Sequence, residues 1–245
     1  MFSKKLVGTL AVIAATAVVP AAVAAPDPGG LFDDLDPVVL PNPLVPVCDG
    51  EPVTIVGAGN IVGTSSDDVI LGSAGEDIIK GKGGNDTVCG EEGVDEIHGG
   101  IGNDDLNGGP DPNLIKGGQG NDDLTGGTSA DVLKGGGDDD DLLGAADNDT
   151  LYGGRGNDSV FGQPGNDHLY GNQGRDDVTG NQDDDVVSGG SGDDFRVTGG
   201  DNNDSVDGGR GNDPVCFGGE APPAEDIDGI PDVDDVRRCD VPLPR

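Results

Sequence analysis

Aromatic side chains make up only 3% of the 245 residues, there is one methionine, and tryptophan is missing. So few large apolar groups cannot fill an ordinary globular core. Basic residues are equally scarce, with 13 Lys and Arg against 48 Asp and Glu and a formal charge of -35. A surface of that sign repels nucleic acid and anionic membranes and makes cations the natural partners. His98 and His168, the only two histidines, fall on different repeats, read as strand surface residues and argue against zinc. No Ser/His/Asp, Cys/His or H-E-x-x-H arrangement can be assembled, and carboxylates are so numerous that their pairing carries no catalytic meaning. The expectation is that the chain is not an enzyme.

Long apolar runs are also missing, apart from residues 6–19. That run follows Lys4 and Lys5 and precedes Pro20 and the small residues Ala22 and Ala24. These are the three regions of a secretory signal peptide, residues 1–24, and the run is shorter than the ~20 residues a membrane-spanning helix needs. A secreted, extracellular protein is expected. Residues 25–52 are rich in proline and cannot form a helix, so they read as an extended linker or an N-terminal cap.

Glycine, by contrast, is abundant at 47 residues, and its placement is regular. From 63 to 188 a nine-residue unit repeats fourteen times without a slip, most cleanly as Gly153-Gly154-Arg155-Gly156-Asn157-Asp158-Ser159-Val160-Phe161. Position one is always Gly, position eight always aliphatic, and position six is Asp in thirteen copies, the exception being Asn113. High acidity with few aromatics ordinarily means disorder, but a strict spacing of aliphatics does not. Gly57-x-Gly59 imitates a dinucleotide-binding turn, yet the helix that motif requires is replaced by the first repeat. Ile61 is already in phase with Ile70.

The first six positions hold residues that tolerate left-handed backbone or bond to it, which predicts a turn. The last three predict a short strand with one side chain inward. Two copies make one flattened coil of a solenoid, and each strand stacks on the copy eighteen residues away. At about 4.8 Å per strand, some eight coils make a rod roughly 40 Å long. Stacking gathers the sixth-position carboxylates into two ladders. One holds Asp68, Asp86, Asp104, Asp122, Asp140, Asp158 and Asp176, and the other Asp77, Asp95, Asp131, Asp149, Asp167 and Asp185. Like charges at this spacing cost about 1 kcal/mol per pair even in water, and one row of aliphatics is a thin core. A hard divalent cation held between coils relieves both problems. Ca²⁺ takes six to eight oxygens in flexible geometry, whereas Mg²⁺ demands a tight octahedron.

The unit Gly-Gly-x-Gly-x-Asp-x-aliphatic-x resembles the RTX (repeats in toxin), or haemolysin-type, calcium-binding nonapeptide over residues 63–216, about two thirds of the chain without its leader. The resemblance implies an all-β, right-handed parallel β-roll that folds as several Ca²⁺ ions bind between turns, with the thirteen aspartates above as ligands. Residues 189–198 are one residue too long, which predicts a bulge near Phe195 that lets Val197 replace Arg196 inside. Two more copies follow, so Asp194, Asp204 and Asp213 join the set. The copy with Pro110, Pro112 and Asn113, and those with Ser66, Ser129, Asp138, Asp147 or Asp183 at position four, are expected to be weak or empty. Members of the family usually carry a C-terminal export signal, and the Sec-like leader here departs from that.

Four cysteines allow three pairings, and Cys48 with Cys89 and Cys216 with Cys239 is favoured because each would staple a terminal segment over an open end. The repeat region is placed at 53–217 and an acidic cap or tail at 218–245. In the tail, Asp226, Asp228, Asp232 and Asp235 resemble a thrombospondin type 3 calcium loop, a solvated acidic tail being the alternative. Tyr152 and Tyr170 are expected side by side on one face, with Phe161 on the other. The function expected is calcium binding coupled to folding, in a structural or interaction role at the cell envelope or matrix. A calcium-dependent adhesin binding a surface glycan or protein, or a non-catalytic accessory of a secreted hydrolase, are the alternatives.

Overall fold

The computed structural model describes residues 46–216, and these are all-β. A short antiparallel pair opens the described part: β1 (Val47–Cys48) and β2 (Glu51–Pro52). The remaining strands alternate between two parallel sheets. The ten-stranded sheet holds β3 (Ile55–Val56), β5 (Val69–Leu71), β7 (Thr87–Cys89), β9 (Asp105–Gly109), β11 (Asp123–Gly127), β13 (Asp141–Ala145), β15 (Ser159–Pro164), β17 (Asp177–Gln182), β19 (Arg196–Gly200) and β21 (Val215–Cys216). The nine-stranded sheet holds β4 (Asn60–Val62), β6 (Ile78–Gly83), β8 (Glu96–Ile101), β10 (Leu114–Gln119), β12 (Val132–Gly137), β14 (Thr150–Arg155), β16 (His168–Gln173), β18 (Val186–Ser191) and β20 (Ser205–Arg210). This is a parallel β-solenoid of the β-roll kind, with no helix among the described residues.

The register follows the eighteen-residue coil: Leu124 pairs with Leu106 and Leu142, and Leu151 with Leu133 and Leu169. Strand alternation sends position eight inward and positions seven and nine outward. Sixteen aliphatics, one per turn from Ile61 to Val197, therefore form the core at 4% exposure or less. Each contributes about 2 kcal/mol of burial, in a single file per sheet. The in-phase Ile61 is borne out by its pairing with Ile79.

Two details depart from the expected turn-then-strand unit. Strands run up to six residues, because pairing skips position one and resumes at positions two and three, as in Gly118 with Gly136 and Gln119 with Gly137. The reversal is thus confined to positions four to six. Position two takes a positive φ to do so, as at Gly118 (φ 133), a backbone that favours glycine. The second detail lies ahead of the repeats, where the stretch read as a linker or N-terminal cap contains the β1–β2 hairpin. A disulfide ties Cys48 to Cys89 on β7, as expected. Residues 1–24, Asp226, Asp228, Asp232, Asp235 and Cys239 lie outside the described residues, and with them the expected leader, acidic calcium loop and Cys216–Cys239 pairing.

The bulge near Phe195 is present. The backbone N–H groups of both Phe195 and Arg196 reach Asp176 O, at 2.8 and 3.3 Å. Phe195 is pushed outward to 58% exposure, while Val197 pairs with Val178 and is fully buried.

Candidate metal centre

Every sixth-position residue lies at a turn between strands, and its two carboxylate oxygens have different fates. Oδ1 accepts the backbone N–H of the equivalent residue one coil earlier. On one edge Asp86, Asp104, Asp122, Asp140, Asp158, Asp176, Asp194 and Asp213 serve the preceding members from Asp68 onward at 2.9–3.0 Å. On the other, Asp95, Asn113, Asp131, Asp149, Asp167, Asp185 and Asp204 serve those from Asp77 onward at 2.7–2.9 Å. Asp77 itself accepts from Gly59 N–H. The two ladders read from the sequence are therefore real, and Oδ1 is part of the scaffold.

Oδ2 is the unspent atom. In twelve aspartates, Asp86, Asp95, Asp104, Asp122, Asp131, Asp140, Asp149, Asp158, Asp167, Asp176, Asp185 and Asp194, it is buried with no hydrogen-bond partner. Leaving a buried charged acceptor unsatisfied costs more than any single hydrogen bond returns, so the arrangement calls for a cation. The donor set fits a hard one, being oxygen throughout. The position-one glycine creates the room for Oδ2: a Cβ on Gly126 would stand 2.5 Å from Asp131 Oδ2 and 2.8 Å from Gly144 O. The carboxylate oxygen and a carbonyl of the next coil thus converge on the same spot. Position-four carbonyls also point along the rod, since a Cβ on Gly93 (φ 120) would stand 2.7 Å from Gly75 O. Among the described residues no three His, Cys, Asp or Glu side chains converge on one point. A bound ion would draw on one or two carboxylates and complete its shell from carbonyls and water.

Electrostatics point the same way. Burial, opposed in part by the backbone N–H bond, pushes Asp131 up to about 7. Burial, again opposed by that bond and reinforced by neighbouring carboxylates, pushes Asp122, Asp149 and Asp158 up to about 7 and Asp140 up to about 8.

Three copies differ. In the first two, the position-two N–H groups of Thr64 and Ser73 donate to Oδ2 of Asp68 and Asp77, at 2.6 and 2.7 Å. In these carboxylates, expected as ligands with the rest, Oδ2 already accepts a hydrogen bond within its own copy. From Lys82 onward position two is left-handed, whether it is Gly or Glu91, Ala145, Gln163, Asn172 or Asn181. The third case is Asn113. It keeps the Oδ1 bond to Asp95 N–H, but its Nδ2 donates to Asp111 O at 2.5 Å and stands where other copies place Oδ2. Of the position-four residues other than glycine, Asp138, Asp147 and Asp183 adopt a left-handed backbone (φ 72–77). Ser66, Asp111 and Ser129 do not.

A second ladder escaped the sequence reading. Position-five side chains accept N–H groups from the following coil, as in Asn103 N–H to Asn85 Oδ1 at 2.9 Å, Asn121 to Asn103 at 3.0 Å and Asn166 to Asn148 at 2.7 Å. It runs opposite in sense to the Asp ladder. The prevalence of Asn and Asp at position five was the available signal. His98 and His168 lie on the outer faces of β8 and β16, and His98 Nε2 meets Glu96 Oε1 at 2.8 Å.

A parallel β-solenoid in which twelve turn carboxylates hold one bonded and one orphaned oxygen defines a class: repeat proteins built around ions of a hard divalent metal. The family profile described as RTX calcium-binding nonapeptide repeat matches residues 56–88, 81–115, 98–133, 116–151, 134–169, 143–178, 161–195 and 196–213. The chain belongs to this family, whose repeats bind multiple Ca²⁺ ions. No curated protein matches the chain.

Proposed function

We propose that this calcium-binding repeat protein is secreted and serves as an ion-gated structural rod, with no catalytic activity of its own. The observation that carries this reading is the file of twelve buried Oδ2 atoms without partners. Those aspartates, with Asp204 and Asp213, are the ligands we assign, while Asp68 and Asp77 form a self-satisfied first coil. The leader-like residues 1–24 support export to calcium-rich surroundings, where modules of modest affinity fill. A non-catalytic role is favoured because the repeats supply carboxylates in uniform files rather than one differentiated pair. Tyr152 and Tyr170 stack with centroids 5.0 Å apart and planes 8° from parallel, which cross-strand packing accounts for.

Limited proteolysis of the chain in Ca²⁺, Mg²⁺ and EGTA, with mass analysis of the fragments, tests this reading. Protection of a core spanning about residues 53–217 in Ca²⁺ alone is expected. Equal digestion in all three would contradict it.

A further inference from the structure

The two outer faces of the roll carry columns of opposite charge. Beyond the leader the chain has four lysines, Lys80, Lys82, Lys116 and Lys134, and all lie on strands of the nine-stranded sheet. At position nine the register stacks Lys80, His98, Lys116 and Lys134 on consecutive strands, and the column continues into Tyr152 and Tyr170. On the ten-stranded sheet, position seven stacks Asp105, Asp123 and Asp141. All three are exposed. Like charges placed directly opposite across strands destabilise a sheet; within the described residues Glu96 alone offsets the basic column, at His98 and Lys116, and no ion pair offsets Asp105, Asp123 and Asp141. Lys116 meets Glu96 at 2.8 Å and Lys134 lies 5.6 Å from the Tyr152 ring centroid, but Lys80 has no acidic partner there. Among the described residues the one ion pair of the acidic face is further along the rod, between Arg196 and Asp177.

The geometry points to a second copy of this chain as the occupant of these faces: Lys116 and Lys134 of one rod against Asp123 and Asp141 of the next. Both columns advance by one strand spacing per eighteen residues, so their steps match without adjustment. The strands involved, β10 and β12 against β11 and β13, lie at the same level of the rod. A sideways translation with unchanged polarity brings them together, and the β1–β2 hairpin, pinned at Cys89 on β7, lies towards the N-terminal end of the column. Each copy uses a different face for each neighbour, so the contact does not close and builds side-by-side arrays. Single exposed pairs are weak, so the array depends on several rungs together and on low salt. It rests on the calcium-bound rod proposed above, since the charge of -35 must first be offset along the turns.

Sedimentation velocity of the chain in saturating Ca²⁺ at low ionic strength is expected to resolve a concentration-dependent series beyond the dimer, dispersed by NaCl at constant Ca²⁺. The double variants K116E/K134E and D123K/D141K should each lose every species above monomer, and an equimolar mixture should regain them. Circular dichroism of each variant in Ca²⁺ separates failure to assemble from failure to fold. A folded wild type that stays monomeric at all concentrations, or a K116E/K134E variant that assembles like wild type, would overturn the pairing. So would a monomeric protein that binds polygalacturonate through Lys116 and Lys134, which would give the basic column to a glycan. A chain whose circular dichroism ignores calcium would instead defeat the functional reading beneath it.

Discussion

Each ladder aspartate holds two roles on one side chain, and the natural exception separates them. Asn113 retains the Oδ1 bond that stitches coil to coil while presenting an amide nitrogen in place of Oδ2. The same exchange at a regular copy should therefore spare the roll and remove an ion site. Asp149 is well placed, since its Oδ1 accepts Asp131 N–H at 2.8 Å and its Oδ2 has no partner. In calorimetric titration, Asp149→Asn is expected to bind less calcium per chain than wild type and to fold at a modestly higher calcium concentration. Asp149→Ala should add a stability loss of about 1–3 kcal/mol, because it strands the buried Asp131 N–H as well. Equal behaviour of the two variants would mean that Oδ1 and Oδ2 are not functionally distinct. The position-one glycines belong to the same unit, because a Cβ at Gly153 would stand 2.8 Å from Asp158 Cβ.

At the scale of the ladder, the calcium-free roll is an acid-sensitive element. Burial first, less what the backbone bond returns and with repulsion from neighbouring carboxylates added, holds Asp140 at about 8 and Asp122, Asp149, Asp158, Asp167 and Asp185 at about 7. An unfolded aspartate titrates near ~3.9. Between those values the folded chain binds more protons than the unfolded one, so the stability of the calcium-free roll rises as pH falls. The destabilisation is complete above about pH 8 and relieved by about pH 4. In EGTA, lowering the pH from 8 to 5 should therefore restore part of the β-sheet signal, while protons compete with calcium and raise the concentration needed to fill the sites. A calcium-free chain equally unstructured at both pH values would show that ladder charge does not govern folding. Oδ2 of Asp68 and Asp77 is bonded, and the Cys48–Cys89 bridge closes a separation of 41 residues, which by chain entropy stabilises by about 4 kcal/mol.

Over the whole molecule, periodicity carried the sequence reading a long way. The spacing of Ile70, Ile79, Val88 and their successors located the core, and the step of eighteen located both Asp ladders. The one-residue insertion located the bulge that brings Val197 inward. What periodicity could not convey is backbone handedness. Positive φ at position two is adopted by Lys82, Glu91 and Gln163 as well as by glycine, and the ordinary backbone of Thr64 and Ser73 is what lets Oδ2 of Asp68 and Asp77 accept a bond within its own copy. Nor does spacing say which carboxylate oxygen faces the next coil, or that position-five Asn side chains bond the other way. The β1–β2 hairpin escaped because strands of two residues carry no pattern, although Cys48 marked its place.

The orphaned Oδ2 files are expected to make folding conditional on calcium. Circular dichroism of the chain without residues 1–24, titrated with Ca²⁺ near neutral pH, reversed with EGTA and repeated with Mg²⁺, tests it most directly. A steep and reversible coil-to-β transition at roughly 10⁻⁴ to 10⁻³ M Ca²⁺, with Mg²⁺ ineffective, is the predicted result. A spectrum already rich in β structure in EGTA and indifferent to added calcium would contradict it.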